Sequence, residues 1–238
     1  MQKVIRIVAL VGVIGLLVGL VIYNTLNPAP PDMGVWNEAM SKGDAKTAKH
    51  HFVMYTDIFC PYCDKFSNAV AANLDKWEKD YIERENILFE IRVTDVNYEN
   101  GHSKNSRPAG IAAYCAAKQN NFWDYYYALL AQMFDDYFSN GIGIDPYSEK
   151  IPDLPNSYFT DVAKSVKLDQ KSFKQCVENQ ETAKELDKNT ALAQNRINGG
   201  VPRFVFDKFT YDGFAGIWDT TSDYEQVKTL MNAGLSTK

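Results

Sequence analysis

Two cysteines two residues apart, Cys60 and Cys63, stand where a strand pattern gives way to a helix pattern, and no other feature narrows the possible folds so far. Before them, His51–Thr56 (HFVMYT) alternates Phe52, Met54 and Thr56 with Val53 and Tyr55. Apolar residues on both faces describe a buried strand. After them, Phe66, Val70, Leu74, Trp77 and Tyr81 recur in steps of three and four, one face of an amphipathic helix beginning at Cys63. Ile87–Thr94 (ILFEIRVT) reads as a second strand. Strand, helix and strand within about 45 residues make a right-handed βαβ unit with parallel strands.

The remainder follows a different rhythm. From Arg107 to Asn195 the segments AGIAAYCAAKQ, FWDYYYALLAQMF, TDVAKSVKL, KSFKQCVEN and ETAKELDKNTALAQNRI read as helices, with Gly141–Ser157 as the main loop between them. Strand character returns at Arg203–Asp207 and Phe209–Gly216, and Asp223–Asn232 closes the chain as a helix. Val35–Ala48 carries only weak helical character. The order is βαβ, a helical block, then ββα, an α/β fold with helices on both faces of a sheet. The aromatic run Trp123, Tyr125, Tyr126 and Tyr127 is read as helix packing rather than as a binding stripe.

Residues 1–26 belong to another environment. Lys3 and Arg6 precede an uncharged apolar run from Ile7 to Tyr23, and the stretch from Val4 has the length of a bilayer-spanning helix. The basic start keeps the amino end in the cytoplasm and places everything after Asn24 outside. A cleaved signal peptide has a shorter apolar middle and a small-x-small site, so an uncleaved single-pass anchor is the favoured reading. Gly15 and Gly19 have GxxxG spacing, although glycine is common in membrane helices for other reasons. Residues 27–40, with Pro28, Pro30 and Pro31, form a stiff linker, and 41–238 form the folded domain. The net charge of −5 speaks against nucleic acid as a partner.

The cysteine pair carries the chemistry. Pro61 falls at the first helical position, where its missing N–H is harmless. Cys60 is then at the helix N-terminus, whose free N–H groups and dipole favour a thiolate and lower the thiol pKa. Cys63, one turn in, is the resolving thiol, and Pro61-Tyr62 complete the motif. With the pair oxidised, a client thiolate attacks Cys60; in reverse, Cys60 attacks a client disulfide. Zinc would need two further ligands, and Cys115, Cys176, His50, His51 and His102 lack ligand spacing, so no metal or cofactor is expected. Cys115 and Cys176 are either a structural disulfide, closing a loop worth at most about 4 kcal/mol, or two small buried apolar side chains. Both readings stay open.

The segments SKGDAKTAKHHFVMYTDIFCPYCDKF, AAYCAAKQNNFWDYYYALL and NGGVPRFVFDKFTYDGFAG, in that order, resemble DsbA-like thiol:disulfide oxidoreductases of the thioredoxin superfamily. Asp57 matches an acidic position of that pattern. The resemblance implies a thioredoxin fold split by a helical insertion at about 107–195, with dithiol-oxidase activity on exported client proteins carrying cysteine thiols. It further implies a membrane quinone-linked partner that reoxidises the pair. It makes Val201–Pro202 a cis bond facing Cys60, where the Val201 backbone receives an extended client. The dipeptide here is Pro-Tyr, where strong oxidants of the family resemble Pro-His, and with Asp57 and Asp64 nearby a milder oxidant is expected. Arg203, after the proline, is read as solvated. A reductase or isomerase would use the same two cysteines, and a non-enzymatic membrane-tethered binding module would keep the fold alone.

Overall fold

The computed structural model describes residues 37–145, 147–196, 200–207, 209–211 and 224–236. The expected membrane anchor, its glycine pair, most of the linker and the distal part of the last expected strand lie outside the described residues. Among the described residues no helix is long and apolar enough to cross a membrane.

A five-stranded sheet runs in the order β1-β3-β2-β4-β5. β2 (His50–Thr56) and β3 (Ile87–Val93) pair in parallel, Phe52 opposite Phe89 and Thr56 opposite Val93. β4 (Arg203–Phe206) lies antiparallel to β2, and β5 (Phe209–Tyr211) antiparallel to β4. This register matters for the site. Tyr55, near the end of β2, is opposite Arg203, the first residue of β4. The chain leaving β2 and the chain entering β4 therefore meet at one end of the sheet.

The parallel β2–β3 pair expected from the strand–helix–strand pattern is present, joined through α1 (Pro61–Ala71). The single helix expected from Cys63 to Tyr81 is instead interrupted. It stops at Ala71, resumes as α2 (Leu74–Trp77) and passes into a π-helical stretch at Glu78–Arg84. Asn73 Nδ2 donates to the Ala69 carbonyl at 3.0 Å, a local side-chain bond of the kind that competes with helix continuation. The apolar face survives the break, with Phe66, Val70, Trp77 and Tyr81 all buried. The weakly helical Val35–Ala48 is a correction of a different sort: a 3₁₀ turn at Glu38–Met40 leads into β1 (Ser41–Lys42), antiparallel to β3. Asn37 caps that turn by accepting from the Ala39 N–H at 3.1 Å.

One short helix, α3 (Val96–Glu99), precedes the helical block. The block comprises α4 (Ser106–Ala117), α5 (Phe122–Asp136), α6 (Asn156–Ser165), α7 (Gln170–Val177) and α8 (Gln180–Arg196). α9 (Tyr224–Ser236) follows the sheet. Aromatic packing ties the layers together. Phe52 sits 5.5 Å from Phe89 and 5.6 Å from Phe204, ring centre to ring centre, and Phe66 of α1 is 4.9 Å from Phe204. Tyr125 and Tyr126 are fully buried, as packing residues of α5. Cys115 of α4 and Cys176 of α7 form a disulfide with an S–S distance of 2.07 Å, which resolves the pairing left open by counting cysteines. Opposite α1, β3 meets α8 through buried polar groups: Arg92, paired with Glu90 at 3.0 Å, donates to Asn189 Oδ1 at 3.5 Å, and just past β3 Asp95 accepts from Thr190 Oγ1 at 2.5 Å.

Candidate active site

The four residues after β2 build the site. Thr56 ends the strand, and the Cys60 N–H donates back to the Asp57 carbonyl at 3.1 Å, closing a turn. Cys60 then takes the N-cap position of α1 with extended backbone (φ −106°, ψ 115°), makes no side-chain capping bond, and is followed by Pro61. The Asp64 N–H donates to the Cys60 carbonyl at 3.0 Å as the first helical bond. The Cys60 sulfur thus lies at the end of the helix where backbone N–H groups are unsatisfied.

The Cys60 thiol donates to the Val201 carbonyl at 3.3 Å, across 141 positions of sequence. The Val201–Pro202 bond is cis. Cys63 is completely buried behind Cys60, and both are free thiols. Burial, reinforced by the adjoining Cys60 sulfur, pushes the Cys63 thiol well above its ordinary pKa and keeps it protonated. Cys60 itself is only 5% exposed. What reaches it is a cavity of about 590 Å³ whose lining includes Cys60, Pro61, Tyr62, Gly200 and Val201. Tyr62 is 39% exposed at the rim, with the Lys65 ammonium 5.6 Å from its ring centre.

The two carboxylates flanking the cysteines are both buried. Asp57 Oδ1 accepts from the Phe59 N–H at 2.8 Å, and Oδ2 accepts from the Asn97 N–H at 2.9 Å. Asn97 returns a bond from Nδ2 to the Phe59 carbonyl at 3.1 Å. Phe59, the residue before Cys60, is therefore tied to the start of α3 directly through its carbonyl and, by way of Asp57, through its N–H. Burial outweighs these bonds and pushes the Asp57 carboxyl up to about 7. Asp64 is also pushed to about 7 by burial, with one compensating bond from Asn68 Nδ2 at 2.9 Å. At neutral pH the site carries less negative charge than two aspartates suggest on paper.

Behind Cys63, the Tyr126 hydroxyl of α5 meets Ser67 Oγ at 2.8 Å and Thr56 Oγ1 at 3.4 Å. Arg203 is half-buried, and its Nε donates to the Gly200 carbonyl at 3.2 Å. His50 pairs with Asp207 at 2.8 Å and His51 with Glu90 at 3.0 Å, while His102 lines the cavity. Among the described residues no three His, Cys, Asp or Glu side chains are placed to hold a metal ion. Asn97 and the cavity-lining residues Gly143–Ile151 were missed by sequence reasoning, because they reach the site through tertiary contact; Ser67, one turn after Cys63 on α1, was missed because a single serine carries no signal of its own.

The sequence matches the thioredoxin family over residues 37–233. The chain belongs to that family. As a thioredoxin-family protein it has the fold of the DsbA-like enzymes. Oxidised BdbD from Bacillus subtilis superposes with a TM-score of 0.56 at 21% identity, covering 82% of this chain and 92% of that one. MdbA from Corynebacterium diphtheriae, a thiol-disulfide oxidoreductase, gives 0.56 at 20% identity, covering 84% and 91%. The catalytic domain of Proteus mirabilis ScsC gives 0.54 at 21% identity, covering 85% and 93%. No curated protein matches the sequence.

Proposed function

We infer that this thioredoxin-family chain is a membrane-anchored, extracytoplasmic thiol-disulfide oxidoreductase that forms disulfides in exported proteins through Cys60 and Cys63. One observation carries the reading: the Cys60 sulfur is held at the N-terminus of α1 against the Val201 carbonyl, with the Cys63 thiol buried one turn behind it. In the oxidised enzyme a client thiolate attacks Cys60 Sγ, the Cys60–Cys63 bond breaks, and Cys63 leaves and takes up a proton. A second client thiolate then attacks the client sulfur of the mixed disulfide, and Cys60 leaves as thiolate. The client loses two electrons and the enzyme gains them. A quinone-linked membrane protein is the proposed acceptor that resets the pair. The likeness to MdbA supports the redox class, and the apolar run Ile7–Tyr23 behind Lys3 and Arg6 supports the anchor and its orientation.

Equilibration of the full chain with glutathione buffers tests the direction of electron flow. The Pro-Tyr dipeptide leads us to expect a potential between those of thioredoxin and DsbA, about −270 and −120 mV. A value at or below the thioredoxin end would overturn the oxidase reading in favour of a reductase. Cys63→Ser should trap a mixed disulfide on Cys60, and Cys60→Ser should trap none. Retention of the full chain in carbonate-washed membranes tests the anchor.

A further inference from the structure

A sulfur that leaves a disulfide does so as an anion, and Cys63 is completely buried. Bulk water does not reach it, so the protein itself has to supply hydrogen-bond donors or the charge is costly. The groups placed to do this are hydroxyls. Thr56, the last residue of β2, is fully buried, and its hydroxyl is hydrogen-bonded to Cys63, opposing the burial that pushes the thiol up. Thr56 Oγ1 lies 3.4 Å from the Tyr126 hydroxyl, which lies 2.8 Å from Ser67 Oγ. Ser67 stands one turn after Cys63 on α1, so the chain of hydroxyls starts at the sulfur and returns to the helix that carries it.

The neighbouring carboxyls are engaged elsewhere. Asp57 bonds Cys63 through its backbone N–H, while its carboxyl accepts from the Phe59 and Asn97 N–H groups. The Asp64 carboxyl accepts from Asn68. Tyr126 arrives from α5 in the helical block, and burial pushes its hydroxyl far above its ordinary pKa, so it stays protonated and serves as a donor rather than a base. A hydroxyl both donates and accepts. The same chain can therefore point towards the sulfur when it is an anion and away from it when it carries a proton.

The structure assigns Thr56 as a catalytic hydrogen-bond donor to the departing Cys63 sulfur, and Tyr126 as the positioning residue that aims it. This inference rests on the redox role proposed for Cys60 and Cys63. As a client thiolate forms its bond to Cys60 Sγ, the Cys60–Cys63 bond breaks and its electron pair stays on Cys63 Sγ. The Thr56 hydroxyl turns its hydrogen towards that pair, and the Tyr126 hydroxyl, held by Ser67, donates to the Thr56 oxygen behind it. The chain moves hydrogen bonds, not electrons. The proton that Cys63 takes up afterwards balances the one the client thiol gave to solvent on becoming a thiolate. In a buried setting such bonds to a charged atom are stronger than in water.

The test uses the full chain and two reactions of dithiothreitol, each read after acid quenching. The first is reduction of the oxidised Cys60–Cys63 pair, in which Cys63 leaves. The second is cleavage of a glutathione mixed disulfide on Cys60 in a Cys63→Ser background, in which it does not. Loss of a hydrogen bond to a charged sulfur predicts that the first reaction slows about tenfold in Thr56→Val and about threefold in Tyr126→Phe, with Thr56→Ser close to wild type. The second reaction should keep its rate when the same substitutions are added. Tyr125→Phe removes another buried hydroxyl of α5, one that donates to the Phe159 carbonyl at 3.2 Å, and should slow neither. The proposal is overturned if Tyr126→Phe slows the first reaction no more than Tyr125→Phe does. It is overturned equally if the second reaction slows in step with the first, since the hydroxyls would then only hold the fold around Cys60. Should Thr56→Val not fold, Tyr126→Phe carries the same comparison. A wild type inert to dithiothreitol would sink the redox reading itself, a result legible without any hydroxyl variant.

Discussion

Replacing Asp64 by asparagine should stabilise the fold increasingly as the solution becomes alkaline. In the folded protein burial pushes the Asp64 carboxyl from 3.8 to about 7, since Asn68 Nδ2 bonds one oxygen and Oδ1 is buried without a hydrogen-bond partner. The unfolded chain retains an ordinary aspartate value. A raised native pKa means that the folded state holds the proton more tightly. Asp64's contribution to stability is therefore fully present below about pH 4 and is lost as pH rises through about 7. Between pH 5 and 8.5 that loss covers about two pK units, or about 2.7 kcal/mol. The asparagine cannot ionise, so the stability difference between variant and wild type should widen by about 2–3 kcal/mol over this range. Asp57 titrates in both proteins and cancels in the comparison. An unpaired amide in the variant, at about 1–3 kcal/mol, shifts both pH values alike and cancels too. Urea unfolding followed by tryptophan fluorescence at the two pH values measures the difference directly. A gap that changes by less than about 0.5 kcal/mol would refute the assignment of Asp64 as a buried, proton-binding carboxyl.

Replacing Cys115 and Cys176 together by alanine removes a cross-link between residues separated by 61 positions. A loss of up to about 4 kcal/mol is expected, a fall in Tm of roughly 8–15 °C, with exchange at Cys60 unchanged; calorimetry at fixed scan rate checks it. Arg92→Met should cost about 3–5 kcal/mol at neutral pH, because it strips the guanidinium from Glu90, which is 1% exposed. Adding Glu90→Gln to that variant should recover a measurable part of the loss in urea titrations. Gly234→Ala should destabilise by about 1–3 kcal/mol in spite of alanine's better helix propensity, because its Cβ would stand 2.5 Å from the Phe206 ring.

The parts of the fold that could be read from sequence are those whose order is local. β2 and α1 announce themselves because seven strand residues and three helical turns each repeat a period several times. β1 is two residues long and cannot show a period, so the edge strand was invisible until Ser41 was seen opposite Glu90. The cysteine pair was legible for the same reason as α1, since the N-cap position follows from Pro61 and the strand before it. The Cys115–Cys176 bond was not, because it depends on how α4 lies against α7, which no spacing encodes. Asp57 could be noticed but not understood. Its second oxygen is held by Asn97, beyond β3, and only the parallel pairing of β2 with β3 brings that residue alongside.

The sheet order explains how a helical block can enter the chain without disturbing the cysteines. β4 pairs with β2, not with β3, so everything between β3 and β4 is a connection whose length leaves the β2–β4 register untouched. That register alone brings Val201 to Cys60. The block is then free to contribute where it touches the domain. α5 does so from behind, setting the Tyr126 hydroxyl on Ser67, and the loop after α5 does so in front, walling the cavity that leads to the sulfur. The two thiols are thus positioned by the sheet and α1, and the insertion supplies part of the cavity lining around them.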